Sequence, residues 1–163
     1  MVNVRVWDDL FSCSCPDETR IEMDYEQNSE TYPIGTMIAN RYEIVQFLAA
    51  GGMAQVYIAR QQLVDRLVAV KVLSAAFSMN PGVVKRFFRE AKVIGALENQ
   101  ENTVRIYDMG ETDDKRLFIA MELLKGEELS ERIRREPLSP GEAFPIVRQV
   151  ACSLSAAHKR GII

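Results

Sequence analysis

The sequence predicts an α+β fold, a five-stranded antiparallel sheet with one amphipathic helix packed on it, followed by further helices. Three observations lead there. Three short apolar runs at residues 42–48, 56–60 and 67–73 are rich in β-branched and aromatic residues, and the first two are separated by Ala-Ala-Gly-Gly-Met-Ala-Gln. An apolar stripe at helical spacing then covers residues 81–97, and two more strand-like runs follow at 104–109 and 117–123. The order is β-β-β-α-β-β, with a helical tail.

Composition sets the outer limits. A chain of 163 residues with 47% hydrophobic and 26% charged content suits one compact domain with a real core. No apolar run approaches the ~20 residues that span a bilayer, and Asp8 and Asp9 stand where a secretory leader would be basic, so a cytoplasmic location is expected. Cys13, Cys15 and Cys152 have no disulfide-framework spacing, and with His158 as the single histidine a four-ligand zinc site is not expected. The net charge of −3 is uneven: residues 1–35 carry eight Asp/Glu against Arg5 and Arg20, a local −6, leaving +3 for the rest. A balance of that size suits phosphate ligands and lacks the dense basic stripe of a nucleic-acid binder, so no DNA or RNA partner is expected.

Residues 1–40 read as an acidic, flexible arm, with order beginning around Arg41. Val2, Val4 and Val6 alternate as in a short strand, and Ser12, Ser14, Ser29 and Thr31 are candidate phosphorylation sites in what is otherwise a solvated tail. The sheet and its helix occupy residues 41–120, and a connection and helices occupy 121–163. Asn80 followed by Pro81 opens the long helix, which carries Val84, Phe87, Phe88, Ala91, Ile94 and Leu97 on one face. After Gly126 a short helical pattern runs through Leu129 and Ile133. Ser139 and Glu142 then have capping-box spacing ahead of Ile146, Val147, Val150 and Leu154.

Three features carry chemistry. Between the first two strands, small residues at Ala49, Ala50, Gly51, Gly52 and Ala54 let backbone amides approach an anion, although a glycine hairpin is also a plain turn. In the strand Val68-Ala69-Val70-Lys71-Val72, alternation puts Lys71 on one face with Ala69 and Leu73. If that face is the inner one, the ammonium needs an anion; otherwise it is a lysine on a solvated face. Glu90 falls between Ile94 and Leu97 on the apolar stripe of the helix, with Lys85, Arg89 and Lys92 opposite, and it can supply that anion.

Residues 48–56, the run Val68-Ala69-Val70-Lys71 and the run Phe88-Arg89-Glu90-Ala91 together resemble the glycine-rich loop, third-strand lysine and helix-C glutamate of the protein kinase family, in particular the bacterial eukaryotic-like serine/threonine kinases. The resemblance extends from about residue 42 to 163. It implies a kinase small lobe over 41–120, then the hinge and the first large-lobe helices. It further implies ATP as ligand and a protein serine or threonine as substrate of the complete kinase. By the same resemblance Lys71 contacts the α- and β-phosphates and Glu90 pairs with it. Leu48, Ala49, Ala50, Gly51, Gly52, Met53, Ala54, Gln55 and Val56 form the loop over the nucleotide. Val56 and Ala69 cover adenine, Met121 is the gatekeeper, and the backbone of Glu122 and Leu124 hydrogen-bonds the base. Glu128 is a ribose contact or a solvated first-turn acid.

The pattern also departs from the family. Ala49 and Ala54 stand at the first and third loop glycines, and a Cβ at Ala49 would hinder a positive-φ conformation, which predicts weakened affinity. Pro145 predicts a kink or a late start in the last helix. The sequence Ala157-His158-Lys159-Arg160-Gly161-Ile162-Ile163 leads, in the family, into a His-Arg-Asp motif that these residues do not contain; Asp-Phe-Gly is missing too. Magnesium would be held only in a complete kinase, so this polypeptide alone is expected to be inactive. It reads as a kinase fragment; the alternative is a non-catalytic module that binds nucleotide or a partner, or a decaying gene product. The apolar faces at Val147, Val150 and Leu154 would then be exposed and favour self-association.

Overall fold

In the computed structural model, residues 31–97 and 100–162 are described. The strand expected at Val2, Val4 and Val6, the sites Ser12, Ser14 and Ser29, and the thiols of Cys13 and Cys15 lie outside that range. The strands are β1 (Met37–Ile38), β2 (Tyr42–Ala50), β3 (Ala54–Gln61), β4 (Arg66–Leu73), β5 (Ile106–Glu111) and β6 (Leu117–Glu122). The helices are α1 (Ala75–Ser78), α2 (Pro81–Ala96), α3 (Leu129–Arg135) and α4 (Pro140–His158).

The sheet has six strands rather than five, in the order β1-β2-β3-β4-β6-β5, with every neighbouring pair antiparallel. The additional strand is two residues long, Met37 facing Glu43 and Ile38 facing Tyr42, too short to leave a periodic signal in sequence. It lies within residues 1–40, the segment expected from sequence to form the arm. Ile38 is buried, and Tyr32 packs on the same core.

Strand β4 shows why its sequence is an almost unbroken apolar run: both of its faces are covered. Val68, Val70 and Val72 pack with Ile38, Tyr42, Ile44, Tyr57, Ala59, Phe118 and Ala120. On the other face Leu73 packs with Ile119 and, from α2, Phe87 and Ala91, while Ala69 joins Val104 and Met121. The sheet curls into a half-barrel around the first cluster. Gly110 on β5 helps it close, since a Cβ there would meet the Phe118 ring at 3.0 Å.

Asn80 caps α2 by accepting from the amides of Gly82 and Val83, with Pro81 in the first turn. Phe88, expected on the packed stripe, is 37% exposed at its margin. Ser139 and Glu142 form the expected capping box on α4. The helix starts at Pro140 and runs uninterrupted through Pro145, so it does not start late. The proline is the sixth residue of the helix and forfeits the backbone bond that its position would make to the Gly141 carbonyl. On α4, Val147 and Leu154 are exposed, whereas Val150 is half-buried.

Candidate functional site

The site is assembled on the face of β4 that carries Ala69 and Lys71. Residues 69 and 71 alternate away from the valine cluster, and α2 lies against the same face through Phe87 and Ala91. Glu90 precedes Ala91 on α2, and its carboxylate reaches Lys71: Nζ to Oε2 is 3.7 Å, with the side chains 18% and 25% exposed. That separation makes an ion pair but exceeds a direct hydrogen bond. Burial pushes the Lys71 ammonium below its ordinary value, and Glu90 only partly opposes it. Burial likewise pushes Glu90 up, against the attraction of Lys71 and Arg86. Each group is held at a desolvation cost that the other reduces.

Beside the ion pair lies an apolar wall. Ala69 and Met121, paired across β4 and β6, are buried with Val104, and Val56, Ile94 and Leu123 pack around them. Val56 faces Lys71 across β3 and β4, so the wall and the cation share one register. Val104, Ile94 and Leu123 were not among the site residues expected from sequence, although Ile94 was placed on the apolar stripe beside Glu90. Leu123 had the signal of lying two positions from Met121, whereas Val104 sits ahead of β5, outside any strand.

The β2–β3 hairpin joins this wall through Val56. Ala49 faces Val56, Ala50 faces Gln55, and the amide of Gly51 closes the turn onto the Ala54 carbonyl at 2.8 Å. Ala49 lies in strand β2 and is not among the positive-φ residues, so the steric objection to its Cβ does not apply to this conformation. The Gln55 side chain turns the other way: it is buried, and its Oε1 accepts from the Tyr57 hydroxyl at 2.6 Å. Only the backbone of Gln55 therefore faces the hairpin mouth. Leu48, Gly51, Gly52 and Met53 are exposed, and Ala54 is buried.

At the end of β6, the Glu122 amide donates to the Arg105 carbonyl at 2.9 Å, so any base contact from Glu122 falls to its carbonyl. Leu124 is exposed beyond the strand. Glu128 is the N-terminal flanking residue of α3, and its Oε2 accepts from Ser130 Oγ at 3.1 Å. The structure thus brings Val56, Ala69, Lys71, Glu90 and Met121 together, and leaves Glu128 exposed with a local partner. Among the described residues no group of three or more His, Cys, Asp or Glu is arranged to hold a metal ion.

The family model for the protein kinase domain matches residues 42–163. The chain belongs to the protein kinase family. Its relatives there include bacterial serine/threonine kinases. Serine/threonine-protein kinase pkn3 of Myxococcus xanthus is 40% identical over 131 residues, 80% of this chain and 24% of the relative. Serine/threonine-protein kinase PrkC of Bacillus subtilis is 39% identical over 131 residues, 80% of this chain and 20% of the relative. The crystal structure of the Mycobacterium tuberculosis PknI kinase domain superposes with a TM-score of 0.67 at 32% identity, covering 80% of this chain and 52% of that one. The kinase chain described here thus spans a quarter or less of these curated relatives and about half of that solved kinase domain. Its 163 residues contain neither His-Arg-Asp nor Asp-Phe-Gly. No helix among the described residues is long and apolar enough to cross a membrane.

Proposed function

We propose that this kinase chain binds ATP between the β2–β3 hairpin and the end of β6, and that within a complete kinase domain it serves phosphoryl transfer to serine or threonine of a protein. The observation that supports this most directly is the half-buried Lys71–Glu90 pair beside the wall of Val56, Ala69 and Met121. An apolar slot ending in a held cation matches a purine joined to phosphates. Val56 and Ala69 cover the base, Met121 bounds its depth, and the carbonyl of Glu122 and the backbone of Leu124 hydrogen-bond its edge. Glu90 holds the Lys71 ammonium toward the α- and β-phosphates, and the amides of residues 48–56 lie above them. Glu128 is the candidate ribose contact.

Phosphoryl transfer in this family depends on metal-held phosphates and a positioned base. In this family magnesium is held by the Asp-Phe-Gly aspartate and the catalytic-loop asparagine, and these 163 residues contain neither motif. Phosphoryl transfer therefore requires residues beyond those present here, and the 163-residue polypeptide by itself should bind ATP without turning it over. The exposed Phe144, Val147 and Leu154 on α4 favour self-association of this polypeptide.

The test is calorimetric titration of ATP into the chain, wild type against Lys71→Ala, with folding checked by circular dichroism. Saturable binding weakened at least tenfold in the variant is the expected result. Absence of binding by the folded wild type, or equal binding by both, would remove the proposed site.

A further inference from the structure

Tyr57 on β3 is fully buried, and a phenol in such a place needs hydrogen-bond partners for its hydroxyl. It has two. The hydroxyl donates to Gln55 Oε1 at 2.6 Å and accepts from the backbone N–H of Tyr32 at 3.0 Å. Gln55 is also the residue that faces Ala50 across the mouth of the β2–β3 hairpin. A short chain of bonds therefore runs from the segment ahead of the sheet, through Tyr57, to the base of the hairpin.

The Tyr32 end is anchored through both its ring and its hydroxyl. Its ring meets the Arg116 guanidinium, 4.0 Å from the ring centroid, and the Tyr57 ring, whose centroid is 5.9 Å away. Its hydroxyl donates to Asp114, which also accepts from Thr112 Oγ1 and pairs with Arg116 Nε at 2.7 Å. The β5–β6 turn holds Tyr32, and Tyr32 holds Tyr57. The hairpin is otherwise held by the Gly51 amide on the Ala54 carbonyl, the Ser74 amide on the Met53 carbonyl and an edge contact of the Phe47 ring with the Tyr57 ring, centroids 5.7 Å apart. Residues 45–53 are exposed, and β1 pairs with β2 only at Tyr42 and Glu43, leaving the outer edge of β2 uncovered by β1 from Val45 onward.

We infer that the segment carrying Tyr32 is a positioning element for the glycine-rich hairpin, acting through Tyr57 and Gln55. Ordering a loose loop on binding costs affinity, and a hairpin whose base is already fixed avoids part of that cost. The structural half of the inference stands by itself; its effect on nucleotide affinity rests on the ATP site proposed above. Neither Tyr32 nor Tyr57 belongs to that site.

The experiment is amide hydrogen exchange on the full chain with Tyr57→Phe, Tyr32→Ala and Tyr32→Phe, followed by ATP titration of the same proteins. The reporters are the amides of Gly51 and Ser74, which bond to the Ala54 and Met53 carbonyls; the control is the Ala143 amide in α4. Tyr57→Phe removes the shared hydroxyl and keeps the ring, and should speed exchange at Gly51 and Ser74 roughly tenfold with Ala143 unchanged. Tyr32→Ala should do the same. Tyr32→Phe keeps the ring and the backbone N–H and should retain most of the protection, a rescue that general destabilisation would not give. ATP affinity should fall in the order of hairpin exchange. Unchanged exchange at Gly51 and Ser74 in a folded Tyr57→Phe protein overturns the inference, whether or not Tyr32→Ala folds. Faster hairpin exchange in a chain whose wild type binds no ATP upholds the mechanical link and rejects the nucleotide site instead.

Discussion

The phenol of Tyr42 on β2 donates to Asp108 Oδ2 on β5 at 2.9 Å, although β3, β4 and β6 lie between these strands in the sheet. The contact exists because the sheet curls, bringing its two ends round the valine cluster of β4. Arg41 adds an ion pair to the same carboxylate at 2.8 Å. Burial and the neighbouring carboxylate push the Tyr42 phenol up to about 12, so it stays a donor throughout the neutral range.

Removing that clasp should therefore weaken the whole fold. Asp108→Ala leaves the buried Tyr42 hydroxyl without its acceptor, a loss of about 1–3 kcal/mol. The midpoint of urea denaturation should fall with the slope unchanged. A midpoint equal to wild type would mean that water replaces the carboxylate without cost.

The Lys71–Glu90 pair predicts a pH dependence of defined sign. Because the Glu90 carboxyl is raised above its usual range, the folded state binds its proton more tightly than the unfolded state does. Its contribution to stability is greatest below the ordinary carboxyl value and is lost as pH rises through the folded value. The stability of wild type relative to Glu90→Gln should accordingly decline from pH 4 to 7. A difference that is flat across that range would contradict the buried placement of Glu90.

Asp114 predicts the opposite slope. Burial raises its carboxyl, but hydrogen bonds from Thr112 and Tyr32 and the Arg116 charge outweigh this and hold it below the usual value. Its stabilisation is present above the ordinary carboxyl value and is lost as pH falls through the folded one. Asp114→Asn should flatten part of the acid limb of the stability profile, and an unchanged acid limb would show that these bonds do not persist in solution.

The start of α2 bears on the site because the helix carries Glu90. Asn80→Ala removes the acceptor for the amides of Gly82 and Val83 and should cost about 1 kcal/mol, whereas Asn80→Asp should cost little. Thermal denaturation of the two variants distinguishes a capping role from mere bulk at that position.

Charge on the exposed stripe of α4 should change association and leave folding intact. Phe144 and Val147 are 72% and 63% exposed, so Val147→Glu removes apolar surface without opening a cavity. Sedimentation at increasing concentration should show less association by the variant; identical profiles would place any contact elsewhere.

Much of this protein is legible in its sequence because the informative residues are punctuation or are chemically out of place. Asn80 and Ser139 mark helix starts by local hydrogen bonding, which needs no tertiary context. Lys71 stood out as a charge in an apolar strand and Glu90 as an acid on an apolar helical stripe, each requiring the other. The family resemblance of the hairpin, the strand lysine and the helix glutamate supplied the rest of the candidate site. Tertiary structure alone decided which face of β4 meets α2, that two residues at Met37 and Ile38 add a strand, and that Gln55 turns its side chain away from the hairpin mouth. It also decided that Tyr32 and Asp108 reach distant strands. These outcomes depend on the curl of the sheet and on hydrogen-bond partners up to 82 positions apart, and such pairings leave no local pattern in the chain.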